Sequence, residues 1–166
     1  VAKRIADGVQ TALGNLEPAR IAWGSVDAPE HVFNRRWIMK EPVMSPLGFY
    51  DKAKMNPGVG HPDLVEPAGP TDPEVYFLAI ESTEGRPIAL LGNYSLHYVG
   101  GVPSGHLSAD YFAVFGDRMQ ELLNADRQHP PFVGIMSNGT SGDINNINWP
   151  GPTRERHAPY EKMRIV

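Results

Sequence analysis

Apolar residues recur at intervals of three and four along the first part of the chain. The series Ala2, Ile5, Val9 and Leu16 is separated by charged and polar residues. This spacing predicts an amphipathic helix that ends before Pro18. Residues 19–26 then predict a short strand that ends at Gly24.

Two apolar runs in the middle of the chain predict neighbouring strands. They cover residues 74–80 and 88–97, and the link between them contains Gly85, a residue suited to a hairpin turn. A third run, at 132–136, predicts another strand of the same sheet. Residues 27–71 show little periodicity, so we expect an irregular region that is either functional or supported by other parts of the protein.

One more helix is predicted between the second and third of these strands. Ser108 is predicted as the N-cap before a stripe of apolar residues that continues to Leu123. Asp110 would lie in the first turn of this helix, where a negative charge is favourable. A helix between strands, followed by a polar loop, is typical of α/β proteins. We therefore predict an α/β fold, with a mixed sheet and flanking helices, in which this helix packs on the sheet.

Composition narrows the possible classes of protein. The 166 residues include 15 Lys and Arg against 19 Asp and Glu, a net charge of −4, which argues against nucleic-acid and anionic-membrane partners. No apolar window is long enough for a transmembrane segment. The absence of cysteine excludes disulfides, thiol catalysis and thiolate metal ligands. Because the sequence starts at Val1 without a signal peptide, we expect residues 1–166 to be a single partial domain, an internal fragment.

His97 ends a strand on which Asn93 and Ser95 share its face. Such a histidine is either hydrogen-bonded in the core or a metal ligand. Catalytic zinc takes about three protein ligands, and His106, nine residues on, lacks a ligand spacing. The fragment by itself therefore cannot complete a zinc site.

The polar loop at residues 138–146 follows the third buried strand, so we expect it to lie near His97 at one edge of the sheet. It either presents backbone N–H groups to an oxyanion or forms a rigid turn. It contains neither a nucleophile elbow nor a P-loop, and a serine-type hydrolase that uses Ser137 or Ser141 is a weaker alternative. Arg35 could clamp a carbonyl or be solvated, and the charge run at residues 154–156 is expected to be solvated.

Several segments, read in order, resemble one enzyme family. They are Leu16-Glu-Pro-Ala-Arg-Ile-Ala-Trp-Gly, Phe33-Asn-Arg-Arg, Asn93-Tyr-Ser-Leu-His, Ser108-Ala-Asp-Tyr and the segment 131–146. Together they resemble the N-terminal catalytic domain of neutral/alkaline non-lysosomal ceramidases. The resemblance covers most of the chain, from about Leu16 to Asn146.

That family hydrolyses the amide of N-acyl-sphingosine with a zinc-bound water, and the resemblance makes His97 a zinc ligand. The other ligands, a histidine of a Thr-His-Thr-His motif and a Glu and a Tyr, would lie before Val1 and after Val166. The fragment alone is therefore expected to bind no catalytic zinc and to have no amidase activity. Arg35 falls on the substrate-side arginine, and Gly142 and Asp143 on the Gly-Asp of the active-site loop. Asn145 stands where the family has a serine assigned a catalytic role, and Asn cannot supply a hydroxyl.

The resemblance implies a ceramidase-like, zinc-dependent amide hydrolase that acts on an N-acyl lipid or a related N-acyl substrate. It would be secreted or periplasmic if it follows the family. Arg35 and amides of the loop would steady the developing oxyanion. The alternative is a non-catalytic binding or structural module that keeps the sheet but has lost the serine.

Overall fold

The computed structural model describes residues 1–152 and 156–166. Its two α-helices are α1 (Ala2–Gly14) and α2 (Asp110–Leu122). The strands are β1 (Ala19–Asp27), β2 (Phe33–Asn34), β3 (Arg36–Met44), β4 (Tyr50–Met55), β5 (Leu64–Pro67), β6 (Glu74–Ser82), β7 (Pro87–Tyr94), β8 (Val133–Asn138) and β9 (Ile144–Asn145). Short 3₁₀ turns cover Pro29–His31 and Lys162–Arg164. Arg154 and Glu155, of the charge run expected to be solvated, lie outside the described residues.

The main sheet has the strand order β1-β6-β7-β8. Its first three strands are antiparallel, and β8 joins β7 in parallel after the crossover through α2. Gly85, with φ of +87°, closes the β6–β7 hairpin. The predicted mixed α/β fold, with the three apolar runs in one sheet, is confirmed. The second run does not reach His97 as a strand, however: β7 ends at Tyr94, and His97 lies in the loop three residues beyond it.

Two glycines let α2 lie directly on this sheet. A Cβ on Gly134 of β8 would come within 2.8 Å of the Cα of Gly116 in α2, so the helix and strand backbones touch there. Beside this contact, the buried core contains Tyr94, Leu96 and Tyr111. The predicted packing of the helix on the sheet is confirmed, and it fixes the end of β7, where His97 follows.

Ser108 is not the N-cap of α2, which is Ala109. The Ser108 hydroxyl instead accepts from the Asp110 N–H at 3.0 Å. The buried Asp110 carboxylate accepts the backbone N–H groups of Val99 (3.2 Å), Gly100 (3.0 Å) and Tyr111 (2.8 Å). The helix starts later than predicted because this carboxylate ties its first turn to the segment after His97.

Residues 27–71 are not irregular, which corrects the prediction for this region. They contain β2 and a three-stranded sheet of order β4-β3-β5, packed through Trp37 and Met39 against Trp149. Register shifts interrupt both pairings of β3, so no regular alternation survives in the sequence.

The beginning of the chain is a helix followed by a strand, as predicted, with two differences. β1 does not end at Gly24 but continues to Asp27. Gly24 lies opposite Phe77 of β6, and a Cβ on Gly24 would be only 2.9 Å from Phe77 Cζ, so the glycine leaves room for the ring and the strand continues past it. The apolar stripe of α1 is exposed, with Ile5 at 63% and Leu13 at 62%. Within the described ranges, neither helix is long and apolar enough to cross a membrane.

Candidate functional site

A two-residue antiparallel bridge brings distant segments of the chain together. In it Phe33 pairs with Asn145 and Asn34 with Ile144. The next residue, Arg35, donates its backbone N–H to the Asp143 carbonyl at 2.7 Å. The segment that contains Arg35 and the loop that contains Gly142, Asp143 and Asn145 therefore form one structural unit, which we call the bridge site.

The Arg35 guanidinium is anchored on one side only. Its Nη2 donates to the Gly142 carbonyl. Its Nε is buried and has no acceptor among the described residues, where Arg35 also takes part in no ion pair. A buried donor without an acceptor carries an unfavourable desolvation cost. The arrangement thus leaves a positively charged group that can bind a carbonyl or carboxylate oxygen.

Asn34 fixes the Asp143 side of the bridge site. Its side chain is 3% exposed, and Nδ2 donates to Asp143 Oδ2 at 3.0 Å and to the Gly69 carbonyl at 3.2 Å. Its Oδ1 accepts from the Arg36 N–H at 2.8 Å. The Asp143 carboxylate is therefore held by an amide donor, and it takes part in no ion pair within the described part of the chain.

Asn145 is buried in the same unit. Its Oδ1 accepts from the Ile147 N–H at 3.0 Å and its Nδ2 donates to Asn56 Oδ1 at 3.4 Å. Asn56 also donates its backbone N–H to the Arg35 carbonyl at 2.7 Å. The Asn145 amide thus links the loop to the turn after β4, and it offers no hydroxyl for nucleophilic attack.

The same loop begins alongside the residues that precede His97. Gly139 donates its N–H to the Tyr94 carbonyl at 2.9 Å, and Asn138 Nδ2 donates to the Leu96 carbonyl at 2.8 Å. His97 itself is half-buried, with its ring 5.2 Å from the Tyr98 ring between centroids. The loop therefore runs from the edge of β7, next to His97, to the bridge site.

Two tyrosine hydroxyls support the end of β7. Tyr111 donates to the Leu96 carbonyl at 2.8 Å, and Tyr94 donates to the Ala28 carbonyl. Burial, together with the charge of Glu30, raises the pKa of Tyr94 to about 12. Burial also raises the pKa of Tyr111. Both tyrosines therefore stay neutral donors at ordinary pH, and they hold the backbone just before His97.

The described residues do not by themselves complete a metal site. They contain no group of three or more His, Cys, Asp or Glu side chains that could hold a metal ion. His97 is thus not part of a group of three such residues within residues 1–152 and 156–166.

The serine alternative gains no support from the geometry. The Ser137 hydroxyl donates to the Gly92 carbonyl at 3.0 Å and accepts from Asn93 Nδ2 at 2.9 Å. In the described part of the chain, neither Ser137 nor Ser141 has a hydrogen bond to a histidine.

Two residues of the bridge site were missed by the sequence analysis. Asn56, with φ of +52°, stands in an Asn-Pro-Gly sequence that indicates a turn but no contact. Lys162 donates from its Nζ to Asn146 Oδ1 at 2.9 Å. It lies 16 residues along the chain in a short 3₁₀ turn, for which no pattern was visible.

No protein-family model and no curated protein matches the sequence. Among solved structures, the chain is similar to a neutral ceramidase from Pseudomonas aeruginosa, with a TM-score of 0.59 and 15% identity over 95% of this chain and 22% of that one. It is also similar to a ceramidase complexed with C2, with a TM-score of 0.54 and 18% identity over 82% of this chain and 18% of that one. The chain therefore spans about a fifth of these proteins and has the fold of that part of them.

Proposed function

We propose that this chain forms part of the active site of a ceramidase-like, zinc-dependent amide hydrolase that acts on an N-acyl lipid or a related N-acyl substrate. Two observations support the proposal. The fold is shared with neutral ceramidases, and the bridge site contains the half-buried guanidinium of Arg35, which has no ion-pair partner among the described residues. The second observation carries the argument, because fold alone does not imply activity.

In this proposal Arg35 binds the carbonyl oxygen of the scissile amide. Hydrolysis adds water to the carbonyl carbon, breaks the C–N bond and transfers a proton to the leaving amine. Negative charge develops on the carbonyl oxygen in between, and a fixed guanidinium stabilises that charge. The contact of Arg35 with the Gly142 carbonyl orients the guanidinium before substrate arrives.

The zinc part of the proposal rests on His97 alone. Catalytic zinc takes about three protein ligands, and the described residues contain no such group. They therefore do not fit a complete zinc site. His97 would supply one imidazole, and other residues would supply the remaining ligands.

Zinc content and amide hydrolysis of the full-length protein test the proposal. We expect bound zinc, measured by elemental analysis, and turnover of a short-chain N-acyl sphingosine. Both should be lost in His97→Ala, because its imidazole is the proposed ligand. Both should be retained in His157→Ala, whose side chain has, among the described residues, a single ion pair, with Glu161 at 3.9 Å. Full zinc content and full activity in His97→Ala would contradict the zinc assignment.

One observation favours a second candidate, a non-catalytic binding or structural module. Asn145 occupies the position of the family's serine, and its buried side-chain amide is hydrogen-bonded to Ile147 and Asn56. Asn145→Ser in the full-length protein separates the two candidates. If the natural protein hydrolyses the amide without this hydroxyl, the substitution should change turnover by no more than about 10²-fold. If the hydroxyl is required, the natural protein is inactive and the substitution switches activity on. Inactivity of both proteins on every N-acyl amide favours the module.

A further inference from the structure

Ser95 is a buried polar residue that the proposed reaction does not use directly. It is 1% exposed and lies two residues before His97. We propose that Ser95 is a positioning residue, which fixes the loop of the bridge site relative to His97. This inference rests on the proposed function, since it assigns both ends of that loop to one active site.

The hydroxyl of Ser95 has a partner for each of its hydrogen-bonding groups. Its Oγ accepts from the Thr140 N–H at 3.1 Å and lies 3.2 Å from Thr140 Oγ1. Its proton goes to Asp72 Oδ2 at 3.3 Å. A hydroxyl has one proton and two lone pairs, so donation to Asp72 leaves both lone pairs for Thr140. Ser95 therefore joins the segment before β6 to the first residues of the loop.

Gly139 shows how closely the loop approaches Ser95. A Cβ on Gly139 would lie 2.5 Å from Ser95 Oγ, 3.1 Å from Asn93 Oδ1 and 3.3 Å from Ser95 Cα. The shortest of these distances is far inside van der Waals contact, and the atom met is the hydroxyl that holds Thr140. Gly139 and Ser95 thus form a matched pair: because Gly139 has no side chain, there is room for the Ser95 hydroxyl.

The other end of the loop has its own contacts, from Arg35 to Gly142 and from Asn34 to Asp143. Only two residues lie between Thr140 and Asp143, so a displacement at Thr140 is transmitted to the Gly142 carbonyl. That carbonyl orients the Arg35 guanidinium. Loss of the Ser95 contacts should therefore reduce turnover more than substrate binding.

Amide hydrogen exchange and kinetics of the full-length protein test this inference with three variants. In Ser95→Ala the Thr140 amide loses its acceptor and should exchange about tenfold faster, while kcat falls and KM changes little. Gly139→Ala should have a larger effect on both, because its methyl group meets the hydroxyl. In the double variant that hydroxyl is absent, so exchange should be slower and kcat higher than in Gly139→Ala alone.

The outcomes separate this inference from the proposed function. If the effects of the two single substitutions simply add in the double variant, Ser95 and Gly139 are not a matched pair and the inference is wrong. It is also wrong if the exchange of Thr140 is unchanged in Ser95→Ala, or if the exchange changes while kcat does not. If no N-acyl amide is hydrolysed at all, the proposed function fails, and exchange alone still decides whether Ser95 fixes the loop. Thr83→Ala is the control, because Thr83 is exposed in the β6–β7 turn and its side chain makes no hydrogen bond among the described residues; it should behave as the natural protein does.

Discussion

Removal of the Asn34 side chain should loosen the bridge site while leaving the main sheet intact. Asn34→Ala deletes three hydrogen bonds, to the Asp143 carboxylate, the Gly69 carbonyl and the Arg36 N–H. Only the first of these directly holds the loop segment that pairs with Arg35. The substitution therefore tests whether the side chain of Asn34, rather than the backbone bridge alone, keeps the two segments together.

The expected size of the effect follows from the strength of that bond. A hydrogen bond to a charged group contributes about 1.5–3 kcal/mol, and a neutral one about 1 kcal/mol. Water can replace Asn34 at Gly69 and Arg36 once the site opens, so we take about 2 kcal/mol for the local opening. At about 1.4 kcal/mol for each factor of ten, this corresponds to about 30-fold faster exchange of the Arg35 amide, which bonds to the Asp143 carbonyl.

The assay is amide hydrogen exchange of the full-length protein, read at the Arg35 amide. Asn15→Ala is the control, because Asn15 is exposed at the end of α1 and its side chain makes no hydrogen bond among the described residues. We expect no change at Arg35 in the control. An unchanged Arg35 amide in Asn34→Ala, or an equal change in Asn15→Ala, would refute the reasoning.

Two further predictions concern stability. Gly134→Ala should destabilise the protein by about 1–3 kcal/mol in denaturant titration, because its methyl group would meet the backbone of Gly116. The control, Gly8→Ala in α1, has open space around it and should be neutral or stabilise the protein by up to about 1 kcal/mol. Equal effects of the two substitutions would contradict the backbone contact between Gly134 and Gly116. The free energy of unfolding should fall as pH rises from about 10 to 12. In the unfolded chain Tyr94 ionises near its ordinary pKa of 10.0, while in the folded protein its pKa is raised to about 12. Tyr94→Phe should remove part of this fall, and an identical pH profile would contradict it.

The main sheet could be predicted because each of its elements leaves a pattern in its own segment of the sequence. β6, β7 and β8 are continuous apolar runs bounded by turn residues, and α2 carries a clear apolar stripe. The strands in residues 27–71 could not be predicted. β3 pairs with β4 and β5 through shifted registers, so these strands show no regular alternation of apolar and polar residues. The start of α2 was misplaced because the Asp110 carboxylate binds Val99 and Gly100, and such contacts between segments leave no periodic signal.

The same distinction applies to the site. Arg35, Gly142 and Asp143 could be singled out from their residue types and the family resemblance, and the structure brings them together. The contribution of Asn56 could not be predicted, because it depends on a contact between the turn after β4 and a loop residue 89 positions later in the chain. Likewise, the role of Ser95 depends on the absence of a side chain at Gly139, a complementarity visible only in three dimensions.

A matched pair of arginine substitutions tests the central claim most directly. Arg35→Gln removes the charge at the bridge site, while Arg36→Gln removes the neighbouring charge. The Arg36 side chain is exposed, and its single ion pair among the described residues is with Asp51 at 3.9 Å. The measurement is kcat/KM of the full-length protein on a short-chain N-acyl sphingosine. We predict a fall of about 10²–10³-fold in Arg35→Gln, as for loss of an oxyanion donor, and a nearly unchanged value in Arg36→Gln. Equal values in the two variants would contradict the assignment of Arg35 to the amide carbonyl.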